Sequence, residues 1–235
     1  KEKDRYVALK RMIDYIPDIF GLIFCRTRLE TQAVAEKLMK DGYNAEPLHG
    51  DLSQMQRDQV MKKFRDHTLQ LLVATDVAAR GLDVDDITHV INYKLPDEAE
   101  RYTHRSGRTA RAGKSGTSIV LVNTREVRRV KELESRSGIR FEIKKIPSGR
   151  AVCEKQLSAM MDRLASTQVD NEEIDSYLPP VMETLSALSK EELIRRFVSA
   201  EFNRFLEYYR GAEDINVKVK KRKTKADKAE HRIAG

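Results

Sequence analysis

Leu72-Val73-Ala74-Thr75-Asp76-Val77-Ala78-Ala79-Arg80-Gly81-Leu82-Asp83-Val84 runs from an unbroken apolar stretch directly into a polar turn. Short apolar runs without alternation read as strands buried on both faces, the signature of a parallel sheet. Gly21-Leu22-Ile23-Phe24, His89-Val90-Ile91-Asn92 and Ser118-Ile119-Val120-Leu121-Val122 repeat the pattern. Helical spacing separates them. Leu29, Ala33, Val34 and Leu38 share one face and end before Gly42, and Ser53 is a candidate N-cap ahead of Met55, Val60, Met61 and Phe64. Strand–helix–strand repetition with short connections over residues 4–145 predicts an α/β fold, a parallel sheet flanked by helices.

From about Arg150 the strands stop, and a small all-α extension is expected. Cys153, Leu157, Met160, Met161 and Leu164 form one helical stripe, Pro179-Pro180 reads as a break, and Ser189-Lys190-Glu191-Glu192 is a capping-box pattern. The helix that follows carries Leu193, Ile194, Phe197, Val198, Phe202, Phe205, Leu206 and Tyr209, more apolar surface than a small appendage covers by itself.

The 235 residues are 40% hydrophobic and 34% charged, enough for a core and a strongly solvated surface. No stretch reaches the roughly 18 apolar residues of a membrane span, and no signal-peptide pattern opens the chain. Cys25 and Cys153 are too few for a disulfide framework or a zinc site, so a reducing, cytoplasmic setting without membrane partners is expected. The chain opens on Lys1 rather than methionine, which suggests a piece of something longer. Its net charge of +7 is uneven. From Val217 to Gly235 eight lysines and arginines face only Asp227 and Glu230, marking residues 213–235 as a basic flexible linker or tail.

Three segments carry chemistry. In His104-Arg105-Ser106-Gly107-Arg108-Thr109-Ala110-Arg111-Ala112-Gly113, arginines spaced by three put several guanidinium forks on one side of a turn, a fit for the γ-phosphate of a nucleotide. The turn after Leu72–Ala74 offers the Thr75 hydroxyl to a backbone phosphate and the Asp83 carboxylate to a sugar hydroxyl. Gly50, Gln54 and Arg57 stand around a helix start, where free amides, the helix dipole and an arginine suit a phosphate backbone.

Together these residues resemble the second RecA-like domain of DEAD-box ATP-dependent RNA helicases. Phe24-Cys25-Arg26-Thr27-Arg28 is similar to motif IV, and Gln54 with Arg57 to the family's QxxR element. Thr75 to Asp83 resembles motif V, and His104 to Gly113 motif VI. The extension resembles that of bacterial cold-shock-type members, in some of which it dimerises.

The resemblance implies a division of 1–148 as RecA-like domain, 149–212 as dimerisation module and 213–235 as linker. It implies Arg108 and Arg111 as arginine fingers, with Gly81 and Asp83 completing this half of the ATP site. His104 and Arg105 couple ATP binding to interdomain closure, and Arg26, Thr27, Gly50, Gln54, Arg57 and Thr75 contact the RNA backbone. Partners would be RNA, an N-terminal RecA-like domain and a second copy of the chain. ATP would bind with Mg2+ held by that other domain. This chain has neither a GxxxxGK[ST] loop, because Arg108 stands where its first glycine would be, nor an Asp-Glu-Ala-Asp sequence, so alone it should not hydrolyse ATP. The rival readings are an RNA-tethering or dimerisation module without catalysis, and a DNA helicase with a similar domain.

Overall fold

The computed structural model describes residues 1–110, 115–169 and 171–216. A 3-10 turn (Glu2–Asp4) leads into α1 (Arg5–Tyr15), β1 (Gly21–Cys25), α2 (Arg28–Lys40), β2 (Ala45–Leu48) and α3 (Gln54–Arg65). Then come β3 (Leu71–Thr75), β4 (His89–Asn92), α4 (Ala99–Ser106), β5 (Thr117–Val120) and α5 (Val127–Ser137). Four helices follow: α6 (Gly149–Ser166), α7 (Asn171–Ile174), α8 (Leu178–Leu185) and α9 (Lys190–Tyr209). The sheet has the order β2-β3-β1-β4-β5 and every pairing is parallel, as the apolar runs predict.

Alternation along the central strands divides the core in two. Leu22, Phe24, Leu72, Ala74 and Val90 meet Val60 and Phe64 of α3 and the loop side chains Leu82, Val84 and Ile87. Ile23, Cys25, Leu71, Val73 and Ile91 meet Leu9 and Ile13 of α1 and Val34, Ala35 and Leu38 of α2 on the other face. Ser53 caps α3 in a full capping box with Gln56. The sequence reading misses β2. Its Ala45-Glu46-Pro47-Leu48 has neither alternation nor an apolar run, and Pro47 is tolerated because β2 is an edge strand.

The extension departs from expectation in two places. Pro179 and Pro180 start α8 rather than breaking the chain, since the first helical turn needs no N–H donors. Ser189 does cap α9 by accepting from the Glu192 amide, but the Glu192 carboxylate turns to Arg196 at 3.0 Å instead of closing a capping box. Among the described residues no helix is long and apolar enough to cross a membrane.

Helix α6 lies on α1, and α9 lies on α6. Gly149 permits the close approach, because a Cβ there would stand 2.9 Å from the Tyr209 ring. The joint centres on buried Asp14. Its carboxylate accepts from the Tyr43 hydroxyl at 2.6 Å and from the Tyr209 hydroxyl, and its carbonyl accepts from Gln156 at 2.6 Å. Burial, then the bond to Asp14, pushes the Tyr209 phenol far above its usual range. Beyond α9, Arg11 donates to the Glu213 carbonyl at 2.7 Å, and Asn216 exchanges two hydrogen bonds with the Ile146 backbone.

Removing one donor from a buried carboxylate leaves it under-satisfied. Tyr209→Phe should therefore cost about 1–3 kcal/mol in urea unfolding. Tyr177→Phe, on a ring 72% exposed, should stay within about 0.5 kcal/mol. Equal effects of the two substitutions would contradict a joint built on Asp14.

Candidate nucleotide and nucleic-acid interface

In a parallel sheet the loops after the strands share one edge, and ligands bind there. The described residues singled out from the sequence all fall on that edge. Arg26 and Thr27 follow β1, Gly50, Gln54 and Arg57 follow β2, and Thr75, Gly81 and Asp83 end β3 or follow it. His104, Arg105 and Arg108 come from α4 and the turn after it, beyond β4. Arg111 lies outside the described residues, as do Val217–Gly235 of the basic tail.

Arg105 organises the edge. It is 3% exposed, and a guanidinium in that position must find partners for its donors. Its Nε and Nη2 donate to both carboxylate oxygens of Asp76, at 2.6 and 2.7 Å, and Nη1 donates to Asn92 Oδ1 at 2.8 Å. The guanidinium carbon lies 4.9 Å from the centre of the Phe24 ring. Asp76 follows β3, Phe24 is on β1 and Asn92 ends β4, so one side chain from α4 bridges three adjacent strands. Asn92 is fully buried and also donates to the Ile119 carbonyl of β5 at 3.3 Å.

Two further bonds lace the β3–β4 loop to the turn after α4. Arg108 Nη1 donates to the Leu82 carbonyl at 2.9 Å, which sets its guanidinium beside the Gly81–Asp83 turn. Thr109 is buried and donates to the Ile87 carbonyl. Gly81 takes a left-handed φ of 77°, where glycine is unstrained, and Asp83 is solvent-exposed. Ala110 takes a φ of 58°, costly for an alanine and sustained only by its surroundings. Part of that support is Gly116, where a Cβ would lie 2.1 Å from Thr109 Oγ1 and 2.5 Å from the Ala110 nitrogen. His104 is exposed, one turn before Arg108.

On the other side of the edge, α2 and α3 point their N-termini outward. Thr27 caps α2 by accepting from the Glu30 amide at 3.1 Å. Arg28 pairs with Asp51, which fastens the β1–α2 loop to the one carrying Gly50. His49 is buried, bonded to Gln32 at 2.8 Å while its Nδ1 accepts from the Asp51 amide at 3.3 Å. Gln54 donates to Asp58 at 2.8 Å. Arg57 is half-buried, and its side chain has no hydrogen-bond or ion-pair partner among the described residues. Thr75 is buried at the end of β3, and its hydroxyl accepts from the Ala78 amide at 3.4 Å. Arg26 donates to the Leu95 carbonyl at 2.7 Å and to Asp97 at 2.8 Å. A hydrogen bond from Arg129, then the charge of Arg26, holds the Asp97 carboxyl below its usual range.

Sequence reasoning missed Asp76, Asn92, Thr109 and Gly116. Asn92 left a signal, an amide closing an otherwise apolar strand. Such a group needs a partner, and Arg105 supplies one.

Residues 6–113 match the family described as helicase conserved C-terminal domain, and residues 152–210 match "Probable ATP-dependent RNA helicase, helical domain". The chain is 38% identical over 176 residues to the DEAD-box ATP-dependent RNA helicase CshA of Geobacillus kaustophilus, covering 75% of this chain and 38% of that protein. It therefore spans little more than a third of the length of that relative. Among solved structures, a DEAD box protein from Methanococcus jannaschii is similar with a TM-score of 0.56 and 41% identity, over 60% of this chain and 38% of that one. The E. coli DEAD-box protein SrmB, solved bound to regulator of ribonuclease activity A, is similar with a TM-score of 0.52 and 35% identity, over 60% of this chain and 82% of that one.

A methyl group on Gly116 must displace backbone as well as a side chain. Gly116→Ala should destabilise the chain by about 1–3 kcal/mol and move the amide resonances of Thr109 and Ala110. Gly50→Ala, whose nearest new neighbour would be 3.7 Å away, should stay within about 0.5 kcal/mol. A neutral Gly116→Ala would contradict the packing described for the turn.

Proposed function

The chain belongs to the DEAD-box RNA helicases, whose conserved C-terminal domain it carries, and from that membership we propose that it supplies one half of a split ATPase that separates short RNA duplexes. The observation that carries the reading is the Arg108 guanidinium held on the Leu82 carbonyl beside Asp83, on the edge that also bears Thr27, Gly50, Gln54, Arg57 and Thr75.

The chemistry is divided. Arg108, joined by Arg111, reaches across the interdomain cleft to the γ-phosphate and stabilises the charge that develops in phosphoryl transfer. Asp83 accepts from the ribose, and the Gly81 backbone leaves room for the nucleotide. Exposed His104 meets the N-terminal domain on closure, while Arg105 acts from inside its own domain. The outward N-termini of α2 and α3, with Arg57 and Arg26, hold the sugar-phosphate backbone without reading bases, which suits a protein that handles any RNA sequence. Mg2+ belongs with the phosphates on the other domain's side of the cleft.

Closure joins the two half-sites only when ATP and single-stranded RNA are both present, and the strand is bent out of a duplex as the cleft shuts. The work is divided along the chain as 1–148 for the cleft, 149–212 for assembly and 213–235 for a basic linker, in a cytoplasmic protein. Assembly rests on the extension's exposed apolar side chains. Tyr177, Val181 and Met182 on and before α8, with Leu193, Ile194 and Phe197 on α9, are each 39–72% exposed and suit a second copy of the chain.

In the full-length protein, Arg108→Ala should lower RNA-stimulated ATP turnover by roughly 10³-fold or more and leave the melting temperature within a few degrees. Turnover that ignores RNA or survives the substitution would favour a tethering module without catalysis. Sedimentation of the chain should show a dimer at micromolar concentration. A monomer throughout would overturn the assembly role.

A further inference from the structure

The loops that leave the strands stand along the edge in the order of the sheet, after β2, β3, β1, β4 and β5. Gly50, Gln54 and Arg57 follow β2, Thr75 ends β3 and Thr27 follows β1, so the residues read as holding the RNA backbone fill three adjacent places. Arg26 carries the row onward. Its Nη2 donates to the Leu95 carbonyl at 2.7 Å and to Asp97 Oδ1 at 2.8 Å, both in the loop after β4. Its amide donates to Glu30 at 3.0 Å, and Glu30 pairs with Lys94 of that loop at 2.6 Å. Arg129, in the first turn of α5 beyond β5, donates to the same Asp97 oxygen at 2.5 Å. Neighbouring strands lie about 4.8 Å apart, so these two further places lengthen the row by roughly 10 Å.

One carboxylate oxygen between two guanidiniums sets two positive charges against one negative. The other oxygen of Asp97 and the Nε and Nη1 of both arginines have no partner among the described residues. The anion is also the outermost of the three. The Asp97 side chain is 54% exposed, against 33% for Arg26 and 40% for Arg129. Ion pairs this exposed contribute little to stability, and Asp97 sits in a loop rather than in a helix or strand, so displacing its carboxylate costs little. A phosphodiester carries the same single charge on two non-bridging oxygens. It can satisfy donors on both guanidiniums that one carboxylate oxygen leaves over.

We propose that Arg26 and Arg129 form a phosphate subsite that extends the RNA track beyond β1, and that Asp97 stands in for the phosphate until a strand displaces it. The inference rests on the RNA-backbone reading of Gly50, Gln54 and Arg57 given above. It makes Arg129 a binding residue and Asp97 a competitor that lowers affinity. Arg128, next in the chain, is outside the subsite: its side chain is 91% exposed and pairs with Glu132 along its own helix.

The test is fluorescence anisotropy of the chain with a labelled decauridylate single strand, repeated over a series of salt concentrations. Arg129→Gln should bind about three- to tenfold more weakly. It should also lower the slope of log K against log salt by about 0.7, the loss of one phosphate contact on a single strand. Arg128→Gln, which removes the same charge one residue away, should change binding by less than about twofold. Asp97→Asn, which removes the competing charge, should bind about threefold more tightly. An Arg129→Gln chain indistinguishable from Arg128→Gln would overturn the proposal, and so would an Asp97→Asn chain that binds no more tightly than the unmodified one. Arg57→Gln separates this proposal from the reading beneath it. If Arg57→Gln weakens binding and Arg129→Gln does not, the subsite alone fails; if Arg57→Gln leaves binding unchanged, the RNA-backbone reading fails and the subsite with it. All four side chains lie outside the buried core, so each variant should keep its melting temperature within a few degrees.

Discussion

A guanidinium sealed under 3% exposure is the constraint on which the rest of the edge depends. Burying a charge is unfavourable unless it is paired and hydrogen-bonded, and removing one partner of a buried pair typically costs about 3–5 kcal/mol. Arg105 meets the condition with both oxygens of Asp76, the oxygen of Asn92 and the face of Phe24, drawn from or next to three neighbouring strands. An apolar side chain would fill the same volume at lower electrostatic risk. Only a charged fork also fixes where α4 sits relative to the loop after β3, and therefore where Arg108 points.

Topology does the rest. Because β3 lies between β2 and β1, the loop leaving it stands between the loops that carry Gly50 and Thr27. The α2 and α3 N-termini flank it, and α4 returns to it from β4. The helical extension is attached elsewhere, on α1 through Asp14, with Arg163 pairing to Asp18 at 3.0 Å before β1 begins.

Much of this was legible in the sequence. Unbroken apolar runs found β1, β3 and β4 because both faces of those inner strands are covered, the run Ile119-Val120-Leu121 found β5 although that edge strand is only partly buried, and Ser53 announced α3 through its cap. β2 escaped because an edge strand of four residues with Glu46 and Pro47 carries no periodic signal. The two prolines misled because their meaning depends on whether a helix begins or ends at them. At the site, motif residues identified the edge, but not which arginine faces inward. Arg105 and Arg108 are the same residue type three positions apart, and only packing separates the buried Arg105 from the half-buried Arg108. Asp76 and Asn92 read as ordinary loop and strand-end residues until Arg105 is placed between them.

The central claim is that the β3–β4 loop and the turn after α4 form one mechanical unit held by Arg105. Hydrogen exchange measures this directly through the amides of Ala79, Leu82, Arg108 and Thr109, each bonded within that unit. In the unmodified chain the four should open with a common free energy. In Arg105→Lys, which keeps a positive charge but cannot form the fork, all four should lose protection together while Val73 and Ile91 in the central strands keep theirs. Loss confined to Arg108 and Thr109, with Ala79 and Leu82 unchanged, would contradict the account.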